Sequence, residues 1–294
     1  MELEGRIIKG VGGLYTVATA EGPFECRPRG LFRNQRVTPL VGDEVTIRIF
    51  EGGERGKGSV TGIRPRRSEL VRPRVANADQ VVVVFAAKSP AINYDLLDSY
   101  LLALEHIASG TDMAILLCVN KTDLCGRDGR AAEEYRRIGY PVFYVSALPE
   151  TRAGIDELRG RLAGKVSVFA GPSGVGKSSI INSLLDYEKM PVGSLSRRIE
   201  RGRHTTRHSE LIELEPGCFI IDSPGFTSLS LAGVAPEALA GLFIEFRPYL
   251  GQCRFADCRH IAEPGCAVRE RVGGAVSEAR YLKYVKVYRE LEAR

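Results

Sequence analysis

Phe169-Ala-Gly-Pro-Ser-Gly-Val-Gly-Lys-Ser-Ser-Ile180 decides what most of this chain has to be. Its centre, Gly171-Pro-Ser-Gly-Val-Gly-Lys-Ser178, has the spacing G-x-x-x-x-G-K-S/T. An apolar strand is expected before it, over residues 165–170, and a helix after it, over 177–185. Glycines at 171, 174 and 176 let consecutive backbone N–H groups turn inward around phosphate oxygens. The helix N-terminus adds the positive end of its dipole. Gly171, Pro172, Ser173, Gly174, Val175, Gly176, Lys177, Ser178 and Ser179 are therefore candidate phosphate ligands. Lys177 would reach the β- and γ-phosphates, and Ser178 would offer its hydroxyl oxygen to Mg2+. A glycine-rich turn that binds nothing is the plainer alternative, and the flanking strand and helix weigh against it.

Upstream, strands and helices alternate. Gln80-Val-Val-Val-Val-Phe-Ala-Ala87 is apolar almost throughout, as in a strand buried on both faces of a parallel sheet. A helix with apolar residues at helical spacing is predicted over 95–108, a strand over 113–119, a polar helix over 130–138 and a strand over 141–145. Residues 154–162 read as one more helix before the phosphate loop. The expectation is an α/β sheet with right-handed crossovers, whose ligands sit at the carboxyl ends of the strands.

Three further motifs fall at such ends. Asn120-Lys-Thr-Asp123 follows a buried strand. Asp123 would accept from guanine N1–H and the exocyclic amine, whereas adenine leaves the carboxylate unpaired, at a cost on the order of 1–3 kcal/mol. Asn120 would steady the loop and reach the purine edge, the Lys121 stem would cover the ring, and Thr122 completes the motif. Ser146-Ala147-Leu148 would add a backbone N–H to guanine O6. Asp222-Ser-Pro-Gly225 closes another apolar strand, placing Asp222 for the metal and the Gly225 N–H for the γ-phosphate. Alone, N-K-x-D and D-x-x-G are common turns; their strand contexts make them more.

The guanine-reading loop precedes the phosphate loop, the reverse of the usual order. Each motif belongs to its own strand, so rejoining the chain elsewhere leaves the pocket unchanged. The order reads as a circular permutation, a rearrangement that surface termini tolerate. It would let nucleotide state reposition whatever follows residue 226.

Arg197-Arg-Ile-Glu-Arg-Gly-Arg-His-Thr-Thr-Arg207 occupies the place of an effector loop. Thr206, with Thr205 as the alternative, would complete the Mg2+ shell. Phe226 stands where a water-orienting glutamine often sits, and a phenyl ring cannot polarise water. His204 is the candidate for that task, with contact to phosphate or RNA as the other reading of it.

Cys253-x4-Cys258-x-His260-x5-Cys266 gathers soft ligands that suit a closed, structural tetrahedral Zn2+ site. The segment shows few apolar anchors, so metal is expected to supply much of its folding energy. A helix over 277–293 mixes Arg280, Lys283, Lys286 and Arg289 with Tyr281, Tyr284 and Tyr288, which suits either RNA contact or packing. The other cysteines, at 26, 118, 125 and 218, read as small core residues.

The first quarter of the chain has a different texture. Short strands are predicted over 3–11, 14–20, 22–28, 43–50 and 57–64, without a convincing helix, which suits an OB or SH3-like barrel or a plain packing module. Residues 1–75 hold 14 Lys and Arg against 9 Asp and Glu, the whole net excess of +5. The basic stretches 27–36 and 64–74 could follow a phosphate backbone. The 294 residues, 44% hydrophobic, point to two or three globular domains. No apolar run approaches the roughly 18 residues that span a bilayer, and the N-terminus lacks a secretion pattern. The expected compartment is the cytoplasm.

Together these motifs resemble the ribosome small-subunit-dependent GTPase A family of bacterial assembly factors, the likeness running through Asn120–Asp123, Gly171–Ser178, Gly202-Arg-His-Thr-Thr206, Asp222–Gly225 and the cysteine–histidine knot. The resemblance implies an OB barrel over 1–70, a circularly permuted P-loop GTPase domain over 71–230 and a helical zinc domain over 231–294. It implies a factor that binds GTP and GDP with Mg2+, holds one structural Zn2+ and matures the small ribosomal subunit through contacts to its rRNA. A monomer is the default expectation, and the lack of a bilayer-spanning apolar run gives the expectation of no membrane partner. A P-loop kinase for a small molecule, and an RNA-binding protein with a weak or regulatory guanine site, are the competing classes.

Overall fold

A computed structural model of the chain describes residues 1–29, 32, 37–49, 56–71, 74–125, 132–185, 210–222, 231 and 233–293. Strands β1 (Glu2–Val11), β2 (Leu14–Thr19), β3 (Gly22–Pro28), β4 (Glu44–Ile49) and β5 (Lys57–Ile63) close into a barrel in the order β1-β2-β3-β5-β4. Neighbours are antiparallel except β3 and β5. This is the OB arrangement. Period-two alternation turns Ile7, Val17, Cys26, Val45, Ile47 and Val60 inward, where all are buried. At Gly5 an added Cβ would lie 2.5 Å from the Ala18 carbonyl oxygen, so β1 can pass this closely over β2 only as glycine.

The basic stretch 64–74 is not an open loop. It leads into a hairpin of β6 (Glu69–Val71) and β7 (Arg74–Ala76), and its first arginines face carboxylates of the chain itself. Arg66 forks onto Asp43 at 2.8 and 2.9 Å and reaches Glu69 at 2.7 Å. Arg67 pairs with Asp79 at 2.6 Å, and Arg64 with Glu4. The physical reason is Asp43, a fully buried carboxylate that also accepts from the Leu40 N–H at 2.7 Å. A charge so placed requires a cation. Most of the stretch 27–36 lies outside the described residues.

The central sheet runs β10 (Val142–Tyr144), β9 (Ala114–Asn120), β8 (Gln80–Ala86), β11 (Val166–Ala170), β13 (Cys218–Asp222), β12 (Leu211–Glu215). Every neighbour pair is parallel except β12 with β13. All residues of β8 and β11 are buried, as their mostly apolar runs require, and of the two polar ones Gln80 Nε2 donates to Ser167 Oγ at 2.9 Å. Strand β12 was not expected; its run Leu-Ile-Glu-Leu-Glu alternates only briefly and owes its state to pairing at the sheet edge.

Helices α1 (Tyr94–Ala108), α2 (Glu133–Arg137), α3 (Ile155–Leu162) and α4 (Lys177–Leu184) cover the sheet. The Asn93 side chain starts α1 by accepting from the Leu96 N–H at 3.0 Å. One apolar cluster continues from the barrel through the sheet to α1, and a second lies beneath α3 and α4.

Beyond residue 231 a third cluster forms around Phe243, Phe246, Val268, Val276, Tyr284 and Tyr288, contributed by α5 (Leu239–Leu242), α6 (Glu278–Glu292) and the loops between them. Most of these apolar anchors lie on either side of the cysteine–histidine segment, which itself adds Ile261 and its cysteines to the cluster. In the last helix Lys286 and Arg289 are exposed, while other members of the mixed set are packed inside. Tyr284 and Tyr288 are buried, and so is Arg280, whose guanidinium meets Asp98 and Glu245.

One stripe of α1 meets this C-terminal unit. Asp95 pairs with Lys283 at 2.7 Å, Asp98 with Arg280 at 2.6 Å and Glu105 with Arg247 at 2.6 Å, while Leu102 enters the C-terminal apolar cluster. Any repositioning of the unit would have to break these pairs or carry α1 with it.

Candidate functional site

The parallel register brings the motifs to one edge. Ala86 lies opposite Asn120, Ala170 opposite Val83, and Asp222 opposite Phe169. The ends of β8, β9, β11 and β13 therefore share a rim, from which the phosphate loop crosses to α4.

That loop depends on its glycines at two points. Gly171 has φ +139°, and an added Cβ would sit 2.2 Å from the Val84 carbonyl oxygen. Gly176 has φ +92°, and a Cβ there would sit 2.3 Å from Asn120 Nδ2. Lys177 Nζ donates to the carbonyls of Gly171 and Pro172 at 2.8 and 2.9 Å, so its ammonium already lies across the loop. Ser178 and Ser179 occupy the first turn of α4, and Val175 is buried beneath the loop.

The Asn120–Asp123 segment meets this loop directly. Asn120 Nδ2 donates to the Val175 carbonyl at 2.9 Å, while its Oδ1 is buried without a partner among the described residues. Lys121 takes a left-handed conformation, φ +61°, and its ammonium donates to the Gly174 carbonyl at 2.8 Å and to the Ser89 carbonyl. Thr122 Oγ1 donates to the Val145 carbonyl at 3.0 Å. Asp123 is exposed and accepts from Ser146 Oγ at 2.6 Å. The Ser146 N–H is engaged by the Ala153 carbonyl at 2.9 Å, which leaves a donor for a base to the residues after it. Ala147 is tied to α4 through its carbonyl, which accepts from Ser183 Oγ at 3.0 Å, and the Leu148 N–H makes a long 3.4 Å contact to Ser146 Oγ.

The structure thus gathers Asn120, Lys121, Thr122, Asp123, Ser146, Ala147 and Leu148 with residues 171–179. Asp222 closes β13 at the same rim, and its side chain is not among the described atoms. His204, Thr205, Thr206, Gly225 and Phe226 lie outside the described residues. Ser89, Thr151 and Ser183 were missed on sequence. A serine or threonine in a loop carries no signal of its own, and each acquires its role from a neighbour distant in the chain or across a turn.

A second cluster stands apart. The ligand atoms of Cys253, Cys258, His260 and Cys266 all lie within 4.8 Å of one another. His260 Nδ1 is 3.5 Å from Cys253 Sγ and 3.4 Å from Cys266 Sγ, and those sulfurs are 4.0 Å apart. Those separations match the edges of a tetrahedron about an ion with Zn–S of roughly 2.3 Å, and they are about twice a disulfide bond. The donor set and its spacing fit zinc. Burial pushes the Cys258 thiol up to about 12 and lowers the His260 imidazole below its ordinary value. The intervening loop is fastened from both sides. Tyr281 and Tyr284 hydroxyls donate to the carbonyls of His260 and Arg259 at 3.0 and 2.6 Å. The Glu263 carboxylate accepts from the N–H groups of Arg259, Ile261 and Ala262 at 2.9, 3.0 and 3.0 Å. Burial alone would raise that carboxyl; the backbone donors outweigh it and hold it at about 2.

A phosphate loop and an N-K-x-D loop in contact on one parallel sheet, in inverted chain order behind an OB barrel, define a circularly permuted P-loop GTPase. The chain belongs to the RsgA GTPase family. The model of the RsgA GTPase domain matches residues 63–232, and that of the RsgA N-terminal domain matches residues 4–56. A small ribosomal subunit biogenesis GTPase RsgA of Clostridium perfringens is 44% identical over 292 residues, 98% of each chain. The protein of that name from Ruminiclostridium cellulolyticum is 42% identical, over 98% of this chain and 93% of its own. Among solved structures, YjeQ from Thermotoga maritima superposes with a TM-score of 0.82 at 34% identity, covering all of both chains. YloQ, described as a circularly permuted GTPase, gives 0.81 at 32% identity, covering 100% of this chain and 96% of its own.

Proposed function

We propose that this GTPase acts late in the maturation of the small ribosomal subunit, that the subunit stimulates its turnover, and that the barrel and the C-terminal unit contact rRNA. The observation that carries the nucleotide half of this reading is the contact of Asn120 and Lys121 with residues 174–176 despite the inverted order. The partner half is supported by the names of relatives aligned over nearly the whole chain.

In this reading the N–H groups of residues 171–179 and the Lys177 ammonium hold the phosphates. Asp123 reads the guanine edge, the Lys121 stem covers the ring and Asn120 braces the loop. Ala147 and Leu148, after Ser146, supply the donor to O6, and the Gly225 N–H meets the γ-phosphate. Ser178, Thr206 and Asp222 would hold Mg2+: hydroxyl and carboxylate oxygens are the hard donors it takes, and Ser178 and Asp222 belong to elements that end at one rim. When bound, the ion neutralises charge on the phosphates. His204 aligns the attacking water in place of the missing glutamine. Cys253, Cys258, His260 and Cys266 hold one structural Zn2+.

The functional units are residues 1–70, 71–230 and 231–294. The protein works as a monomer in the cytoplasm without a membrane partner; no helix among the described residues is long and apolar enough to cross a bilayer.

Steady-state phosphate release tests the whole reading. GTP turnover should rise when purified small subunits are added, and ATP should neither be hydrolysed nor displace GTP. Equal use of ATP would return the site to a kinase-like class, and an unchanged rate with subunits would leave only a guanine-binding protein.

A further inference from the structure

We propose that Thr151 is a positioning residue for guanine recognition: its hydroxyl directs the Ser146 proton onto Asp123 and so fixes the orientation of the carboxylate. The proposal rests on the reading above in which Asp123 contacts the base.

The direction of each proton follows from elimination. An ionised carboxylate only accepts. At the 2.6 Å contact between Ser146 Oγ and Asp123 Oδ1, Ser146 must therefore be the donor. That distance lies in the range of a charge-assisted bond. A hydroxyl has one proton, so toward Thr151 Oγ1, 2.7 Å away, Ser146 can only accept. Thr151 is the donor there, and the remaining neighbour, the Leu148 N–H at 3.4 Å, is a donor too. With donors on its lone pairs, the Ser146 proton has a single direction left. Its oxygen is buried, whereas Asp123 and Thr151 are exposed. The relay therefore links one surface position to the other through the interior.

Thr151 can do this because the turn that carries it is fastened independently of any ligand. The N–H groups of Thr151 and Arg152 both donate to the Leu148 carbonyl, at 3.2 and 2.9 Å. Arg152 takes φ +41° and extends to the Ser183 carbonyl on α4 at 3.1 Å. At Gly154, φ +69°, an added Cβ would stand 2.1 Å from the Tyr144 carbonyl oxygen, so the turn lies against the end of β10 as closely as a backbone can. Thr151 thus shares a rigid frame with the helix of the phosphate loop. Asp123 is held by its Oδ1, leaving the rest of the carboxylate to face a base in one orientation. A carboxylate so oriented can meet two adjacent donors at once, the N1–H and the 2-amino group of guanine. One free to rotate satisfies a single donor nearly as well but not the pair.

The test is the ratio of dissociation constants for IDP and GDP, since inosine lacks only the 2-amino group. It is measured on the full-length chain for the wild type, Thr151→Val and Thr151→Ser. Thr151→Val keeps the shape and removes the hydroxyl. It is expected to lower the ratio about threefold or more, the effect of roughly one hydrogen bond, while Thr151→Ser restores it. An unchanged ratio in Thr151→Val, including equal weakening of both nucleotides, overturns the proposal and leaves Thr151 a turn residue. ADP is the control. If the wild type binds ADP as well as GDP, the assignment of Asp123 to the base fails and the proposal falls with it. If guanine is preferred but the ratio does not respond to Thr151→Val, only the proposal fails.

Discussion

The Arg280 guanidinium donates to Asp98 at 2.6 Å across 182 residues of sequence, and both side chains are buried. The same guanidinium forks onto Glu245 at 2.5 and 3.1 Å, and the Tyr135 hydroxyl completes the set by donating to Asp98 at 2.8 Å. This cluster fastens α6 to α1 inside the joint between the GTPase sheet and the C-terminal unit. Arg280→Ala strands two buried carboxylates and is expected to destabilise the protein by about 3–5 kcal/mol. Chemical denaturation measures this. Adding Asp98→Asn and Glu245→Gln to the variant should recover part of the loss, because the charges that lack a partner are then gone.

Gly176 and Gly171 look alike in the motif and should fail differently. A Cβ at Gly171 meets backbone, the Val84 carbonyl, which cannot retreat without distorting β8. Gly171→Ala should therefore lower the unfolding midpoint. A Cβ at Gly176 meets the Asn120 side chain, which can swing away. Gly176→Ala still carries the strain of φ +92°, about 1–2 kcal/mol. It should cost less stability than Gly171→Ala and weaken GDP binding by tenfold or more, measured with a fluorescent nucleotide.

Asp123→Asn exchanges an acceptor for a donor at the position proposed to face the base. Xanthine presents a carbonyl where guanine has its amine. The variant should lose most of its GDP affinity and gain affinity for XDP, read by competition against a common probe.

Chelation of the ion proposed at Cys253, Cys258, His260 and Cys266 should loosen residues 253–266 and leave most of α6 folded, because Tyr284, Tyr288 and Leu291 share an apolar cluster with Phe243 and Phe246. Hydrogen exchange should show lost protection confined to the loop, with little change in helical circular dichroism. Collapse of the whole C-terminal unit would show that metal, not the apolar cluster, supplies its stability.

The Glu263 carboxyl lies below its ordinary value because backbone donors favour its charged form. Its contribution to stability is complete above the unfolded value, about 4.3, and is lost as pH falls toward about 2. Glu263→Gln should be less stable than the wild type near pH 6, and the gap should narrow as the pH is taken down to 3. A gap independent of pH would mean that the charge is not what holds the loop.

His204→Ala should lower subunit-stimulated turnover by well over tenfold while GTP affinity stays nearly constant. Unchanged turnover would remove the imidazole from the reaction.

Much of this molecule is legible in one dimension. The apolar runs of β8, β9 and β11 are long enough to announce buried parallel strands, and the spacing of Gly171, Gly174, Gly176 and Lys177 announces the loop between β11 and α4. The cysteine–histidine spacing is equally plain. Local pattern suffices there because each feature is set by residues within a turn or a strand of one another. β12 was not legible, since a five-residue edge strand takes its state from its partner. Nor were the roles of Arg64, Arg66 and Arg67, which read as a basic loop until Asp43, Asp79 and Glu4 are seen against them.

The order of residues alone settled which chemistry this chain carries: glycines that admit phosphate, a carboxylate suited to guanine, thiols and an imidazole suited to a soft ion. Tertiary structure alone decided which groups meet. It set Asn120 and Lys121 on the phosphate loop, enclosed Arg280 between Asp98 and Glu245, and placed Thr151 behind Ser146. The physical reason is range. Backbone preference and hydrophobic period act over a few residues, whereas a hydrogen bond or an ion pair needs atoms within about 3 Å, and only the packed chain can bring such distant residues that close.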